Sequence, residues 1–151
     1  MKLKDGDSIK FVGFCDDDDF LMLYDGEAHI LKLAIKDLPV AGKMTLGVKS
    51  GFTTIAAAAI VKDSSLMLFV TNDNKGKFTA VKDFGVDSRG NKGQLVPENT
   101  KYMRYFDENR ESIYIIPKQG NVILLPRTKL SVKGRTAVGA NMTTRVVVGI
   151  I

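Results

Sequence analysis

LMLFVTNDNKGKFTAV, Leu66 to Val81, decides the fold. An apolar run from Leu66 to Thr71 breaks at the polar turn NDNKG, which ends at Gly76, and Lys77 to Val81 returns as a second run. A buried run, a tight polar turn and a half-exposed run together spell a β-hairpin. The same pattern occurs twice more. Upstream, Phe20 to Tyr24 (FLMLY) and His29 to Ile35 (HILKLAI) flank Asp25-Gly26, with Leu31, Leu33 and Ile35 alternating with Lys32 and Ala34. Downstream, Ser112 to Ile116 (SIYII) and Asn121 to Leu125 (NVILL) flank Lys118-Gln119-Gly120. No long stretch keeps a period near 3.6 residues, and glycine is scattered along the chain, so the reading is all-β.

Each hairpin is followed by a matching tail: AIKDLPVAGKMTLGVKSG, then AVKDFGVDSRGNKGQLV, then PRTKLSVKGRTAVGANMTTR. Every tail passes a charged residue and an apolar anchor (Leu38, Phe84, Leu130) into a loop that sets glycine beside a basic residue. Two of these loops share one spelling, Gly-basic-x3-Gly, at Gly42-Lys43-Met44-Thr45-Leu46-Gly47 and Gly134-Arg135-Thr136-Ala137-Val138-Gly139. The turn glycines Gly26, Gly76 and Gly120 lie 50 and 44 residues apart. A period of about 40–50 residues with several strands per unit marks propeller-like repeats, because one small sheet cannot bury both faces alone. The expectation is a single domain over 1–151 made of three blades, 8–51, 52–100 and 101–151. Propellers typically close with at least four blades. Three therefore form a partial ring, a piece of a larger array or one completed by association, since bare edges invite aggregation.

The chain has 151 residues, with 22 Lys and Arg against 17 Asp and Glu, for a formal charge of +5. Charge is unevenly placed. Asp5, Asp7 and Asp16 to Asp19 crowd the first twenty residues, whereas from Arg110 onward seven basic residues face the single acid Glu111. A basic C-terminal half suits a polyanionic partner such as nucleic acid. Cys15 is the only cysteine and His29 the only histidine. That excludes an internal disulfide, a Cys-based metal site and His-cluster chemistry, and it makes a reducing cytoplasm the expected compartment. The start, MKLKDGDSIKF, lacks the apolar run of a signal peptide, and AAAAIV (Ala56 to Val61) is far too short to span a bilayer. A soluble intracellular protein without metal, cofactor or membrane partner is expected.

The three hairpins with their loops resemble the C-terminal domain of the A subunit of bacterial type IIA topoisomerases, DNA gyrase and topoisomerase IV. Blades of that family carry a hairpin of the form h-h-h-T-x-x-G-x-h-K-x followed by a loop such as R-G-G-K-G-V or G-R-x-x-x-G-V. Arg89-Gly90-Asn91-Lys92-Gly93 is similar to the first form, Gly134 to Gly139 to the second, and Gly42 to Gly47 is its lysine variant. The resemblance covers nearly the whole chain. It implies a β-pinwheel whose basic outer rim binds and bends double-stranded DNA, in a domain that usually has more blades and near twice this length. It also implies partners, namely the rest of the A subunit and the ATPase B subunit, and a nucleoid-associated cytoplasmic location. Gyrase carries a seven-residue box, Q-R-R-G-G-K-G. Asp87 to Gly93 keeps Arg89, Gly90, Lys92 and Gly93 but departs at Asp87, Ser88 and Asn91, which favours the topoisomerase IV kind.

Phosphate binding needs cations spaced along a surface and backbone that can approach the duplex. Glycine beside Lys or Arg meets both needs, although such glycines also serve simple strand connections. The candidate contacts are Lys43, Arg89, Lys92, Lys133 and Arg135 in the loops, with Lys32, Lys82, Arg127, Lys129 and Arg145 on the flanking strands. A protein-interaction module that meets an acidic partner is the alternative. Other signals are weaker. Gly42-Lys43 fails the phosphate-loop pattern, since Asp37 stands where its first glycine belongs and Met44 where Ser or Thr belongs. Asp16 to Asp19 lacks the spaced ligands of a calcium loop and reads as a solvated turn between strands. Arg104-Tyr105 matches the family's Arg-Tyr cleavage pair but none of its setting, so Tyr105 reads as a packing residue in a strand entering the third blade. Cys15 reads as a small buried hydrophobe and His29 as a strand residue. No loop assembles a nucleophile, a base and an oxyanion site, so the chain reads as non-catalytic.

Overall fold

The computed structural model describes residues 6, 8–39, 52, 54–107 and 109–151. Among them the chain forms eleven strands and three single-turn 3-10 helices, with no α-helix. The strands are β1 (Phe20–Tyr24), β2 (His29–Ala34), β3 (Ala57–Val61), β4 (Leu66–Thr71), β5 (Lys75–Ala80) and β6 (Gln94–Leu95). They continue with β7 (Thr100–Phe106), β8 (Ser112–Pro117), β9 (Ile123–Pro126), β10 (Ala140–Asn141) and β11 (Val147–Ile150). Three antiparallel sheets result, in the orders β3-β1-β2-β6, β10-β5-β4-β7 and β11-β8-β9. The three hairpins read from sequence are β1–β2, β4–β5 and β8–β9. None of the helices in this set is long and apolar enough to cross a membrane.

The repeat is more regular than its turn glycines suggest. The hairpins begin at Phe20, Leu66 and Ser112, 46 residues apart in each case. The 3-10 turns that end them begin at Ile35, Val81 and Arg127, at the same interval. Gly26 and Gly120 do turn their hairpins, with φ of +93° and +96°. Gly76 does not. In the second hairpin Asn74 takes the left-handed conformation (φ 61°), a role asparagine tolerates, and Gly76 lies within β5.

The sheets also cross the segment boundaries drawn from sequence. β3 pairs with β1 although it lies beyond residue 52, and β7 pairs with β4 although it reaches beyond residue 101. Tyr105 is therefore an outer-strand residue of the second sheet, and it is exposed. The short β6 and β10 come from loops of the second and third units and pair backwards with β2 and β5. Two-residue strands carry almost no pattern of their own and form where an open edge lies within reach. Asp16 to Asp19 turns into β1, with no described strand before it; Asp19 N–H donates to Asp16 O at 3.1 Å, and Asp16 N–H to the buried Asp19 carboxylate at 2.9 Å. Cys15 is exposed, not buried.

Alternation along each hairpin sends one set of side chains to each face, and the sheets stack through them. Met22, Tyr24 and Ile30 of the first sheet meet Met67, Phe69 and Met103 of the second, with the anchor Phe84 between them. Leu68, Val70 and Phe78 of the second sheet meet Ile113, Ile115 and Val147 of the third, with the anchor Leu130. Each such side chain contributes roughly 1.5–3 kcal/mol by leaving water, so the inter-sheet layers hold the array together. The far face of the first sheet packs Leu23, Leu31 and Leu33 on Phe52.

Candidate nucleic-acid interface

The basic loops are built by the 46-residue repeat. Arg89 and Arg135 stand at the same repeat position, each second in a four-residue turn. Asn91 N–H closes one turn on Ser88 O at 3.0 Å, and Ala137 N–H closes the other on Gly134 O at 3.2 Å. Each loop is then laid along the second hairpin strand of the preceding unit. Asp87 N–H donates to Lys32 O at 2.7 Å, and Lys133 N–H donates to Phe78 O at 2.8 Å.

Glycine is required where the loops meet those strands. Gly93 has φ +91°, and a Cβ there would lie 2.7 Å from Ile30 O. A Cβ on Gly139 would lie 2.5 Å from Gly76 O. No real side chain tolerates such distances, so the last glycine of each loop is fixed by close backbone packing. Gly90 and Gly134 differ, because nothing stands within 4 Å of a Cβ built on either. Their spare room faces open space.

Two buried lysines latch one unit to the next. Lys32, expected to offer its charge from an exposed strand face, is buried. Its ammonium pairs with Asp63 and donates to Val81 O and Phe84 O, each at 3.1 Å, and it lies 4.4 Å from the centre of the Phe20 ring. Those two carbonyls belong to the 3-10 turn of the next unit, so the lysine satisfies a turn end that packing has removed from water. Lys77, absent from the sequence-derived set, does the equivalent work one sheet on by donating to Gly134 O and Arg135 O. Burial, and then the nearby Lys133 charge, push the Lys77 ammonium down to about 8. No local signal marks either lysine as buried, since a lysine in an alternating strand ordinarily faces solvent.

The other candidates fall into two groups. Lys82, Arg89, Lys92, Lys129 and Arg145 are exposed. Lys82, Arg127 and Lys129 lie in 3-10 turns, not on strands. Arg145 lies in the connection before β11, with its guanidinium packed over Gly120 at the hairpin tip, beside Lys118. Lys133, Arg135 and Arg127 are half-buried and held. Lys133 donates to Val138 O at 3.0 Å, Arg127 lies 5.8 Å from the centre of the Phe106 ring, and Arg135 lies 5.9 Å from that of Phe84. Arg135 also donates to Gln94 Oε1 at 2.6 Å, which joins the third unit's loop to the second's. Lys43 and its loop lie outside the described residues.

No protein-family profile matches the chain, and no curated protein sequence matches it. Solved structures do. The chain is similar to the C-terminal domain of DNA gyrase A, with a TM-score of 0.67 at 18% identity, over 90% of this chain and 49% of that one. It is also similar to the C-terminal domain of DNA topoisomerase IV, with a TM-score of 0.71 at 13% identity, over 90% of this chain and 47% of that one. The shared fold is an all-β pinwheel, and this chain spans about half the length of either solved domain.

Proposed function

We propose that this chain is a non-catalytic module that binds and bends double-stranded DNA within a type IIA topoisomerase A subunit, by contacts to duplex phosphates along a basic rim. One observation carries the reading: Arg135 bonds to Gln94, so consecutive basic loops adjoin and their cations, Arg89, Lys92, Lys133 and Arg135, follow one another along the stacked sheets. Cations spaced this way favour a curved duplex and read deformability more than base edges. The open space beside Gly90 and Gly134 is compatible with close approach of a phosphate. Lys82, Lys129, Arg127 and Arg145 extend the strip, and Lys43, outside the described residues, stands 46 residues before Arg89 in sequence and is proposed as a further contact. Lys32, with its ammonium buried, acts through the loop it latches. The contacts need no cofactor.

Of the two sister enzymes, topoisomerase IV is the better fit. Asp87, where the gyrase box begins with glutamine, accepts from Lys32 N–H at 3.2 Å and from the Gln94 amide at 2.8 Å, so this position serves as a latch. The partners are then the remainder of the A subunit and the ATPase B subunit, in a bacterial cytoplasm at the nucleoid.

Fluorescence anisotropy with a random-sequence duplex tests the reading. Affinity falls steeply between low and moderate salt, and the Arg89→Ala/Lys92→Ala double variant lowers the logarithmic salt slope by about 2, one for each phosphate that is no longer neutralised. Binding that ignores salt, or is absent at low salt, sinks the proposal. Equal competition by an acidic protein would instead support a module for acidic protein partners.

A further inference from the structure

Net charge climbs along the repeat. Residues 8–51 carry five Lys or Arg against seven Asp or Glu, residues 52–100 six against five, and residues 101–151 nine against three. From Ser112 to Ile151 the sequence holds no acid. The same gradient appears at the three hairpin tips, which are equivalent places in the fold. At the first, the Asp25 carboxylate accepts from the N–H groups of Glu27, Ala28 and His29 and faces the His29 ring at 2.9 Å. At the second, Lys75 pairs with Asp73 at 2.7 Å, and Glu98 lines the same cleft. The third presents Lys118 and Arg145 on one cleft, and among the described residues neither pairs with an acid.

Backbone contacts hold those two cations in place. Arg145 N–H donates to Thr143 Oγ1 at 3.2 Å, and Arg145 O accepts from the Asn74 side-chain amide at 2.8 Å. Val146 O accepts from Lys118 N–H at 2.7 Å, which ties the two basic segments together. Gly120, in its left-handed turn, makes room for the guanidinium, since a Cβ there would lie 2.5 Å from a terminal nitrogen of Arg145. A guanidinium fixed in this way loses little freedom when an anion arrives, and its planar fork of N–H groups suits phosphate oxygens. At the other end of the strip the setting reverses. Asp17, Asp18, Asp19 and Asp37 line a cleft with Val86, just before the loop that carries Arg89. Acids repel a phosphate over roughly the 10 Å screening length of 0.1 M salt.

We infer that a duplex is anchored from one end of the strip. Lys118 and Arg145 hold a backbone phosphate at the third hairpin tip, and contact runs from there over Lys133 and Arg135. It reaches Arg89 and Lys92 last, where the acids of the first unit begin. Asn74 and Gln94 join the steps, the one bonded to Arg145 and the other to Arg135. The inference rests on the DNA-binding reading and adds to it a direction and a residue, Lys118, that the glycine loops do not mark. Once the anchor is engaged, the later contacts become intramolecular, so they count only for a duplex long enough to reach them.

Two charge-matched double variants test this by fluorescence anisotropy. Lys118→Ala/Arg145→Ala and Lys10→Ala/Lys36→Ala each remove two positive charges from exposed positions, the latter on the first unit. The first pair should lower affinity for a long random duplex at 0.1 M salt by roughly 10- to 100-fold, and the logarithmic salt slope by about 2. The second pair should keep the slope and stay within about threefold of wild type. On a duplex of about ten base pairs, one helical turn, Lys118→Ala/Arg145→Ala should still weaken binding, whereas Arg89→Ala/Lys92→Ala should not. Lys118→Gln alone, which leaves the Arg145 packing intact, should lower the slope by about 1 with unchanged circular dichroism. Equal effects of the two matched pairs overturn the inference while DNA binding stands, as does short-duplex binding that depends on Arg89 and Lys92. A wild-type chain that binds no duplex at low salt overturns the DNA-binding reading and this inference with it.

Discussion

The second and third sheets start from the same hairpin and end differently. Both stack Ile, Leu, Val or Phe against a neighbouring sheet, and both finish in a 3-10 turn with a buried anchor. Yet β5 is covered by the loop of the next unit, whereas β9 is the outermost strand of its sheet among the described residues. The difference shows that a blade in this fold is a shared object. Its own residues supply one inter-sheet layer, and the following unit supplies the last strand, the latch and the cover. The two described cationic loops are thus structural before they are anything else, since both are held in shape by the sheets they complete.

The largest test of that view compares Phe78, which the next unit's loop covers, with Leu124, whose strand has no further partner among the described residues. Urea unfolding of Phe78→Ala should show a loss of about 3–5 kcal/mol, with Leu124→Ala within about 0.5 kcal/mol of wild type. Equal losses at the two sites would mean that the third sheet is covered after all. Next in size is a contrast inside one loop. Gly139→Val forces a side chain onto the Gly76 backbone and should cost about 1–3 kcal/mol or more, whereas Gly134→Ala meets nothing and should be neutral or slightly stabilising.

The Lys77 latch gives a test with a sign. Its folded-state value of about 8 lies below its ordinary 10.5, so the unfolded chain binds more protons between these values. Stability should therefore rise with pH from about 8 toward 10, by roughly 1–3 kcal/mol, as the cost of the buried charge is relieved. Above about pH 10 the trend should reverse, because burial, and then the Asp25 charge, hold the Tyr24 hydroxyl up at about 12 in the fold, whereas the unfolded chain ionises near 10. Thermal melts of Lys77→Met should lose the rise and keep the fall. Smallest is the hairpin tip. Asn74 holds the left-handed turn and donates to Arg145 O at 2.8 Å, tying the second hairpin to the third unit. Asn74→Ala should cost about 1–2 kcal/mol, and Asn74→Gly, which keeps the backbone conformation, should cost less.

Much of this was legible beforehand. The three hairpins, their anchors Phe84 and Leu130 and the all-β class came from alternation and turn residues, which are local properties of the chain. Gly76 misled, because glycine in a polar stretch reads as a turn, whereas the space its missing side chain leaves within β5 is taken by the Met142 side chain. Lys32 misled for a related reason. A lysine among alternating apolar residues reads as solvent-facing, and only the carbonyls of a turn some fifty residues away reveal where its charge goes.

Amphipathic alternation and turn chemistry therefore settle which strands form and how often the unit repeats, since both act over a few residues. Which edge each short strand completes, which lysines are buried, and which loop glycines lie against another strand and which against open space depend on backbone groups brought together from different units. Hydrogen bonding at a sheet edge is nearly blind to side-chain type, so the chain carries little trace of those pairings until the sheets are stacked.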